Sequence, residues 1–236
     1  MKYSYILLDI DGTLIDFYKS YHAAGENVLK YANCTPTVSN MEVYLQCNDN
    51  AWAALDVDNV DNPYIRTHYH ELYKRYIVNA AEESRKLLNL SKSTEELSEA
   101  YIYQWGKCAI PSPNAIKTCQ ILSTTHTLVT ASNGLTDLQI SKLNSFTPYI
   151  SRHFISEDIN HIKPEKEFFE YIINSLHCSP AECIMVGDSL KNDIEGAFKC
   201  GISTCFYNPS GQSINTGIKP DYEINNFSQL LQIVEN

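Results

Sequence analysis

Apolar residues recur along this chain in two rhythms. In the first, a short unbroken run stops abruptly at polar residues. Tyr5-Ile6-Leu7-Leu8 ends at Asp9, Thr127-Leu128-Val129-Thr130-Ala131 runs into Ser132-Asn133-Gly134, and Cys183-Ile184-Met185-Val186-Gly187 runs into Asp188-Ser189. Runs this short without helical periodicity predict strands buried on both faces, as inside a parallel sheet. In the second rhythm, apolar residues return every three or four positions. This spacing predicts a helix over about 21–31 and helical structure throughout 39–105, in segments such as 69–81, 82–90 and 95–103, broken by an Asp/Asn/Pro-rich loop at 56–63.

Beyond residue 110 the two rhythms alternate. Ser112 is a candidate N-cap with Pro113 in the first turn of a helix over 113–122, followed by a strand at 126–131. Thr136-x-x-Gln139 has the form of a capping box opening a helix at 137–146. A strand at 153–156, a helix at 164–177, a strand at 183–187 and a helix at 190–200 ended by Gly201 come next. A strand at 202–206 and a helix at 228–235 complete the series. Alternating βα units imply a Rossmann-like α/β core with a parallel sheet covered on both faces. The first strand belongs with this C-terminal half, so the core is expected over 1–16 and 110–236. The all-helical stretch 17–109 is then an insertion beside the first acidic turn, placed to act as a lid.

Composition narrows the partners. With 236 residues there is room for a core plus a smaller module, or for one large domain, and 44% hydrophobic content is that of a globular protein. A formal charge of −10 argues against a nucleic-acid polymer or an anionic membrane as partner. No apolar run approaches the roughly 18–20 residues needed to span a bilayer, and the N-terminal run is too short for a signal peptide, so a cytoplasmic location is expected. The eight cysteines form no C-x-x-C pair and are expected reduced, Cys183 and Cys205 buried.

The strand ends carry the candidate chemistry, because ligands of open α/β sheets bind outside the carboxyl ends of the strands. Asp9 and Asp11, two apart in extended chain, face one space, and Gly12 allows the backbone a sharp turn. Two carboxylates in one space need either a divalent cation or a proton on one of them; a solvated turn with two surface acids is the bland alternative. Asp188 ends another buried strand and Asp193 lies in the next helix's first turn, where an acid also serves as a cap. Ser132, Asn133 and Gly134 offer groups for phosphate oxygens or make a plain turn. Lys163, ahead of a helix, is a surface charge or the group that neutralises an anionic substrate.

Together, Asp9-x-Asp11-Gly12-Thr13, Ser132-Asn133, Lys163-Pro164 and Gly187-Asp188-x₄-Asp193 resemble, in this order, the four motifs of the haloacid dehalogenase superfamily. The helical insertion is similar to that superfamily's C1 cap. The resemblance implies that Asp9 is a nucleophile forming an aspartyl-phosphate and Asp11 the general acid and base. It further implies that Asp9, the Asp11 main-chain carbonyl and Asp188 hold Mg²⁺ with Asp193 and Thr13 in support. Ser132, Lys163 and the backbone N–H groups of Gly12 and Asn133 would bind phosphate. The second acid, Asp11, favours phosphatase over carbon–halogen chemistry. Chain length and the cap stretch Asn48-x-x-x-Trp52 resemble bacterial house-cleaning pyrimidine 5′-nucleotidases. A nucleoside monophosphate is therefore the expected substrate, with Tyr18, Asn48 and Trp52 as candidate specificity residues among the cap's many aromatics. The alternatives are a phosphoglycolate-type or sugar-phosphate phosphatase, a phosphomutase using His22, and a non-enzymatic receiver or binding module.

Overall fold

The structure, a computed structural model, describes residues 2–211 and 217–235. It divides into two compact units, Met1–Phe17 with Ile110–Asn236, and Tyr18–Ala109. The inserted segment consists of α1 (Phe17–Tyr31), α2 (Val38–Ala54), α3 (Pro63–Leu87) and α4 (Thr94–Lys107).

In the first unit, the described residues build a six-stranded sheet from β1 (Tyr5–Leu8), β2 (Thr127–Ser132), β3 (Ile150–Ile155), β4 (Cys183–Gly187), β5 (Ser203–Tyr207) and β6 (Tyr222–Ile224). Its order is β3-β2-β1-β4-β5-β6 and every pairing is parallel. β4 is buried along its whole length, and β2 all but its first residue, which is why their sequences read as unbroken apolar runs. Among the described residues, the helices of this unit are α5 (Ala115–Leu122), α6 (Thr136–Ser141), α7 (Ser156–Ile159), α8 (Lys166–Leu176), α9 (Gly196–Lys199) and α10 (Leu230–Glu235). On one face Phe168, Phe169 and Ile172 of α8 lock against Leu7, Val129 and Met185. Each such buried side chain contributes about 1.5–3 kcal/mol of transfer free energy.

Packing holds the sheet together, but strand order places the site. β1 lies between β2 and β4, with Leu8 level with Thr130 on one side and Val186 on the other. The chain leaves β1 toward β2 and β3, then crosses back to β4. The carboxyl ends of β2, β1 and β4 therefore open side by side at a topological switch point.

In the inserted segment, Thr37 caps α2, Asn62 with Pro63 opens α3, and Ser93 with Glu96 forms a reciprocal capping box for α4. Val28, Leu29, Tyr44, Ala81, Leu97 and Ala100 form its apolar centre. The chain leaves and re-enters the sheet unit at a paired neck: Asp16 N–H donates to Ile110 O (2.8 Å), Ser112 N–H donates to Leu14 O (2.9 Å), and Ile15 bridges Pro111.

Several boundaries differ from the sequence expectation. α1 starts at Phe17 rather than near 21, because exposed Phe17 and Tyr18 hide the period of its first turn. The separate segments read at 69–81 and 82–90 are one helix, α3, since nothing between Ala81 and Glu82 breaks it; left-handed Asn89 follows its end. Ser112 is not a cap: Asn114, in a left-handed conformation, precedes α5. Thr136 and Gln139 form no capping box either. Thr136 pairs with Glu157 and Asp158, Leu135 holds the cap position, and the helix ends at Ser141, well short of 146. The helix expected over 190–200 begins as a wider π turn, Leu190–Glu195. Strand β6 was not anticipated, three residues being too few for a period to register. It is pinned by Asp221, which exchanges hydrogen bonds with Thr204. All eight cysteines are free thiols.

Candidate active site

The turn after β1 is built by short-range hydrogen bonds. Asp9 N–H extends the sheet by donating to Val186 O (3.0 Å), and the chain then reverses with Ile15 N–H to Ile10 O (2.8 Å) and Gly12 N–H to Ile15 O (2.9 Å). Gly12 has φ +83°, and a Cβ on it would stand 2.2 Å from Asp188 Oδ2. Only glycine lets the first and fourth turns approach this closely. Thr13, wholly buried, donates its hydroxyl to Asp188 Oδ1 (3.1 Å).

Lys163 is the hub. Its ammonium donates to Asp9 Oδ1 (2.6 Å), Asp193 Oδ1 (2.6 Å) and Ala131 O (2.8 Å), one acceptor for each of its three protons. The backbone that presents it is held by Asn133, whose Oδ1 accepts from Lys163 N–H (2.7 Å) and whose Nδ2 donates to Lys163 O (2.9 Å). The end of β2 is thereby tied to the segment before α8. Ser132, at that same strand end, accepts from Gln139 Nε2 (2.7 Å).

The fourth turn is shaped by Asp193. It is completely buried and accepts Ser189 N–H on Oδ2 (3.0 Å), and a Cβ on Gly187 would come within 2.2 Å of that same oxygen. The π turn widens the backbone here, with Ile194 N–H reaching back to Ser189 O (3.2 Å). Single π turns of this kind frequently mark functional sites.

One carboxylate oxygen from each of Asp9, Asp188 and Asp193 lies within 4.8 Å of the others. Their charges crowd one another. Burial pushes the Asp9 carboxyl up to about 7; Lys163 opposes the rise, and the charges of Asp193 and Asp11 add to it. Asp188 is held well above the ordinary carboxylate range by the protein packed around its carboxyl and then by Asp9 and Asp193, although solvent still reaches it. Burial works against the Lys163 charge, yet Asp193 and Asp9 together hold its pKa above the ordinary lysine value. Lys163 brings a single positive charge against three carboxylates, so the cluster has the donor set and the charge deficit that suit a hard divalent cation. These residues fit Mg²⁺.

The sequence-derived residues Asp9, Gly12, Thr13, Lys163, Asp188 and Asp193 thus meet in one place, with Ser132 and Asn133 on the adjoining strand end. Asp11 takes a different direction from Asp9: its two oxygens lie 2.8 and 2.6 Å from Lys142 Nζ. Lys142 and Gln139 escaped sequence reasoning, Gln139 because it matched a capping box. Their spacing of three, which puts both on one face of a helix following Ser132-Asn133, was the available signal. In the helical unit, Asn48 is buried, donating to Tyr44 O (2.8 Å) and accepting from the Tyr76 hydroxyl (3.3 Å). Trp52, half-buried, meets Tyr73 and Tyr76 edge to face, while Tyr18 is 76% exposed.

The family model described as haloacid dehalogenase-like hydrolase matches residues 3–201. The pyrimidine 5′-nucleotidase PynA of Streptococcus pneumoniae is 26% identical over 239 aligned residues, covering 100% of this chain and 96% of that protein. The pyrimidine 5′-nucleotidase YjjG of Escherichia coli is 24% identical, with 99% of each chain covered. Among solved structures, the putative hydrolase YfnB of Bacillus subtilis, crystallised with magnesium, superimposes with a TM-score of 0.78 at 23% identity, covering 100% of both chains.

Proposed function

The chain belongs to the haloacid dehalogenase-like hydrolases, and on that footing we propose that it is a Mg²⁺-dependent phosphomonoester hydrolase acting on nucleoside monophosphates through an aspartyl-phosphate. One observation carries the reading: the carboxylates of Asp9, Asp188 and Asp193 converge within 4.8 Å, with the Lys163 ammonium 2.6 Å from two of them. Asp9, Asp188 and the main-chain carbonyl of Asp11 would hold the ion, Asp193 supporting them. When bound, Mg²⁺ supplies the positive charge that lets a carboxylate approach a phosphate dianion.

The protein's own groups do the rest. Lys163 occupies Oδ1 of Asp9 and aims the carboxylate, whose other oxygen attacks phosphorus. As the ester P–O bond breaks, Asp11 gives a proton to the leaving oxygen. The resulting Asp11 carboxylate then takes a proton from water as that water attacks the phosphoryl group and the bond to Asp9 breaks. The products are an alcohol and inorganic phosphate, and both acids return to their starting states. Ser132 and the backbone N–H of Asn133 hold the phosphoryl oxygens, as phosphoryl transfer rests mainly on positioning and charge stabilisation; the Gly12 N–H, expected to join them, is instead donated to Ile15 O inside the turn.

The nucleotide preference rests on the two pyrimidine 5′-nucleotidase relatives, which match end to end at 26% and 24% identity. A panel of pyrimidine and purine monophosphates, phosphoglycolate and sugar phosphates, assayed with Mg²⁺, tests it: the highest kcat/KM is expected for a pyrimidine monophosphate. Asp9→Asn is expected to lower turnover by at least about 10³-fold while leaving circular dichroism unchanged. Near-normal activity in that variant removes the nucleophile assignment.

A further inference from the structure

Two acids two residues apart on one turn are held by different lysines. Asp9 has Lys163; Asp11 has Lys142, which comes from the end of α6 and has no role in the phosphoryl-transfer steps themselves. The Lys142 side chain is 2% exposed and grips both oxygens of Asp11, which is 25% exposed. The lysine is itself fixed: its ammonium also donates to Gln139 Oε1 (2.6 Å), and Gln139, 1% exposed, donates through Nε2 to Ser132 Oγ (2.7 Å) and Asn133 O (3.1 Å). A continuous polar chain, Asp11–Lys142–Gln139–Ser132, runs through the protein from the first motif to the second.

A buried lysine is costly, and apolar residues would hold a short helix in place at least as well. The placement makes sense if the charge serves Asp11, both of whose oxygens it holds. An aspartate at the rim of a turn has several rotamers, and a general acid is effective only within hydrogen-bond reach of the oxygen it serves. Contact with both oxygens fixes the rotation of the ionised carboxylate, and when one oxygen takes up the proton it will donate, the other still accepts from Lys142 and keeps the group in place.

We infer that Lys142, braced by Gln139, is the positioning residue for Asp11, holding that carboxyl on the leaving-group side of the site and away from Lys163. The same brace sets the Ser132 hydroxyl, so the proton donor and one phosphate contact are aligned together. This inference rests on the phosphatase reading of the site.

The test compares two esters. A nitrophenolate leaves without needing a proton, whereas a nucleoside alkoxide needs one. Because kcat/KM covers the steps up to loss of the leaving group, a displaced Asp11 penalises the nucleotide selectively. Lys142→Met is expected to lower kcat/KM for uridine 5′-monophosphate on the order of 10²-fold, and that for p-nitrophenyl phosphate less than about tenfold. Gln139→Leu should give the same pattern more weakly, and it carries the comparison if Lys142→Met does not fold. Asp11→Asn sets the upper limit of the selective loss. Equal losses on both esters, or none on either, overturn the inference while leaving the phosphatase reading intact. A wild-type protein inert toward both esters with Mg²⁺ present removes that reading and this inference with it.

Discussion

At the carboxyl edge of the sheet, Asp9, Lys163 and Asp193 are buried in ion-pair contact. Inside the helical unit, Asn48, Tyr76 and Tyr101 are buried as neutral groups, the two tyrosine hydroxyls 2.9 Å apart and Tyr76 also reaching Asn48. Both clusters satisfy their polar atoms with one another, but they respond differently to loss of a member. Removing one partner from a buried ionic cluster strands the remaining charges, typically at about 3–5 kcal/mol. Removing one hydroxyl from a neutral cluster costs about 1 kcal/mol, more where an acceptor is left bare. Charge of this kind is retained where it has work to do; neutral polar groups serve well enough to fix the packing of helices.

Three experiments sharpen the contrast. The largest effect is expected from Lys163→Met, which leaves Asp9 and Asp193 facing each other without their shared cation. Urea unfolding of the metal-free variant near neutral pH should show a loss of about 3–5 kcal/mol, shrinking toward pH 5 as Asp9 takes up its proton. A loss that is the same at both pH values breaks the comparison.

Next comes the pH dependence of the wild-type protein. Because Asp9 titrates near 7 when folded and near the ordinary aspartate value when unfolded, the folded state holds its proton more tightly. The stability from that proton is complete below about 4 and is lost as pH rises through about 7. Metal-free protein should therefore melt higher at pH 5.5 than at pH 8, with a slope of at most about 1.4 kcal/mol per pH unit. Mg²⁺, competing with that proton, should raise the melting temperature more at pH 8. A melting temperature that rises with pH in the absence of metal contradicts the assignment.

The smallest effect belongs to the helical unit. Tyr76→Phe should cost about 1 kcal/mol, and that loss should not vary between pH 5.5 and pH 8. Burial keeps the Tyr76 and Tyr101 phenols above their ordinary range, so neither ionises there.

The same contrast explains what could be read from sequence. β1, β2 and β4 are buried on both faces, so each wrote an unbroken apolar run, and the acids and small polar residues closing those runs marked the site. Asp9 and Asp188 were legible because a polar residue at the end of such a run has few structural reasons to be there; Lys163 and Asp193, each with an ordinary local explanation, were legible only through the order of the four motifs. Gln139 and Lys142 were not, since a glutamine three residues after a threonine satisfies a local rule, and only the folded chain turns it toward Ser132. The π turn at Leu190–Glu195 was hidden for a related reason: its width is set by the fit of Asp193 against Gly187, a contact between turn and strand. The helical unit was readable as helices, but its Asn48 and aromatic contacts join α2, α3 and α4, and no spacing within one helix reveals them.

The paired neck at Asp16 and Ile110 has a consequence for how such a protein can change. Since the outgoing and returning strands are stitched together before the excursion begins, the sheet does not depend on what hangs beyond the stitch. A different module could be spliced onto the same two stubs, or a brief loop could close them, and the carboxyl edge of the sheet would keep its register. The inserted unit and the sheet can thus change separately, by exchange at one junction, without disturbing a single strand pairing.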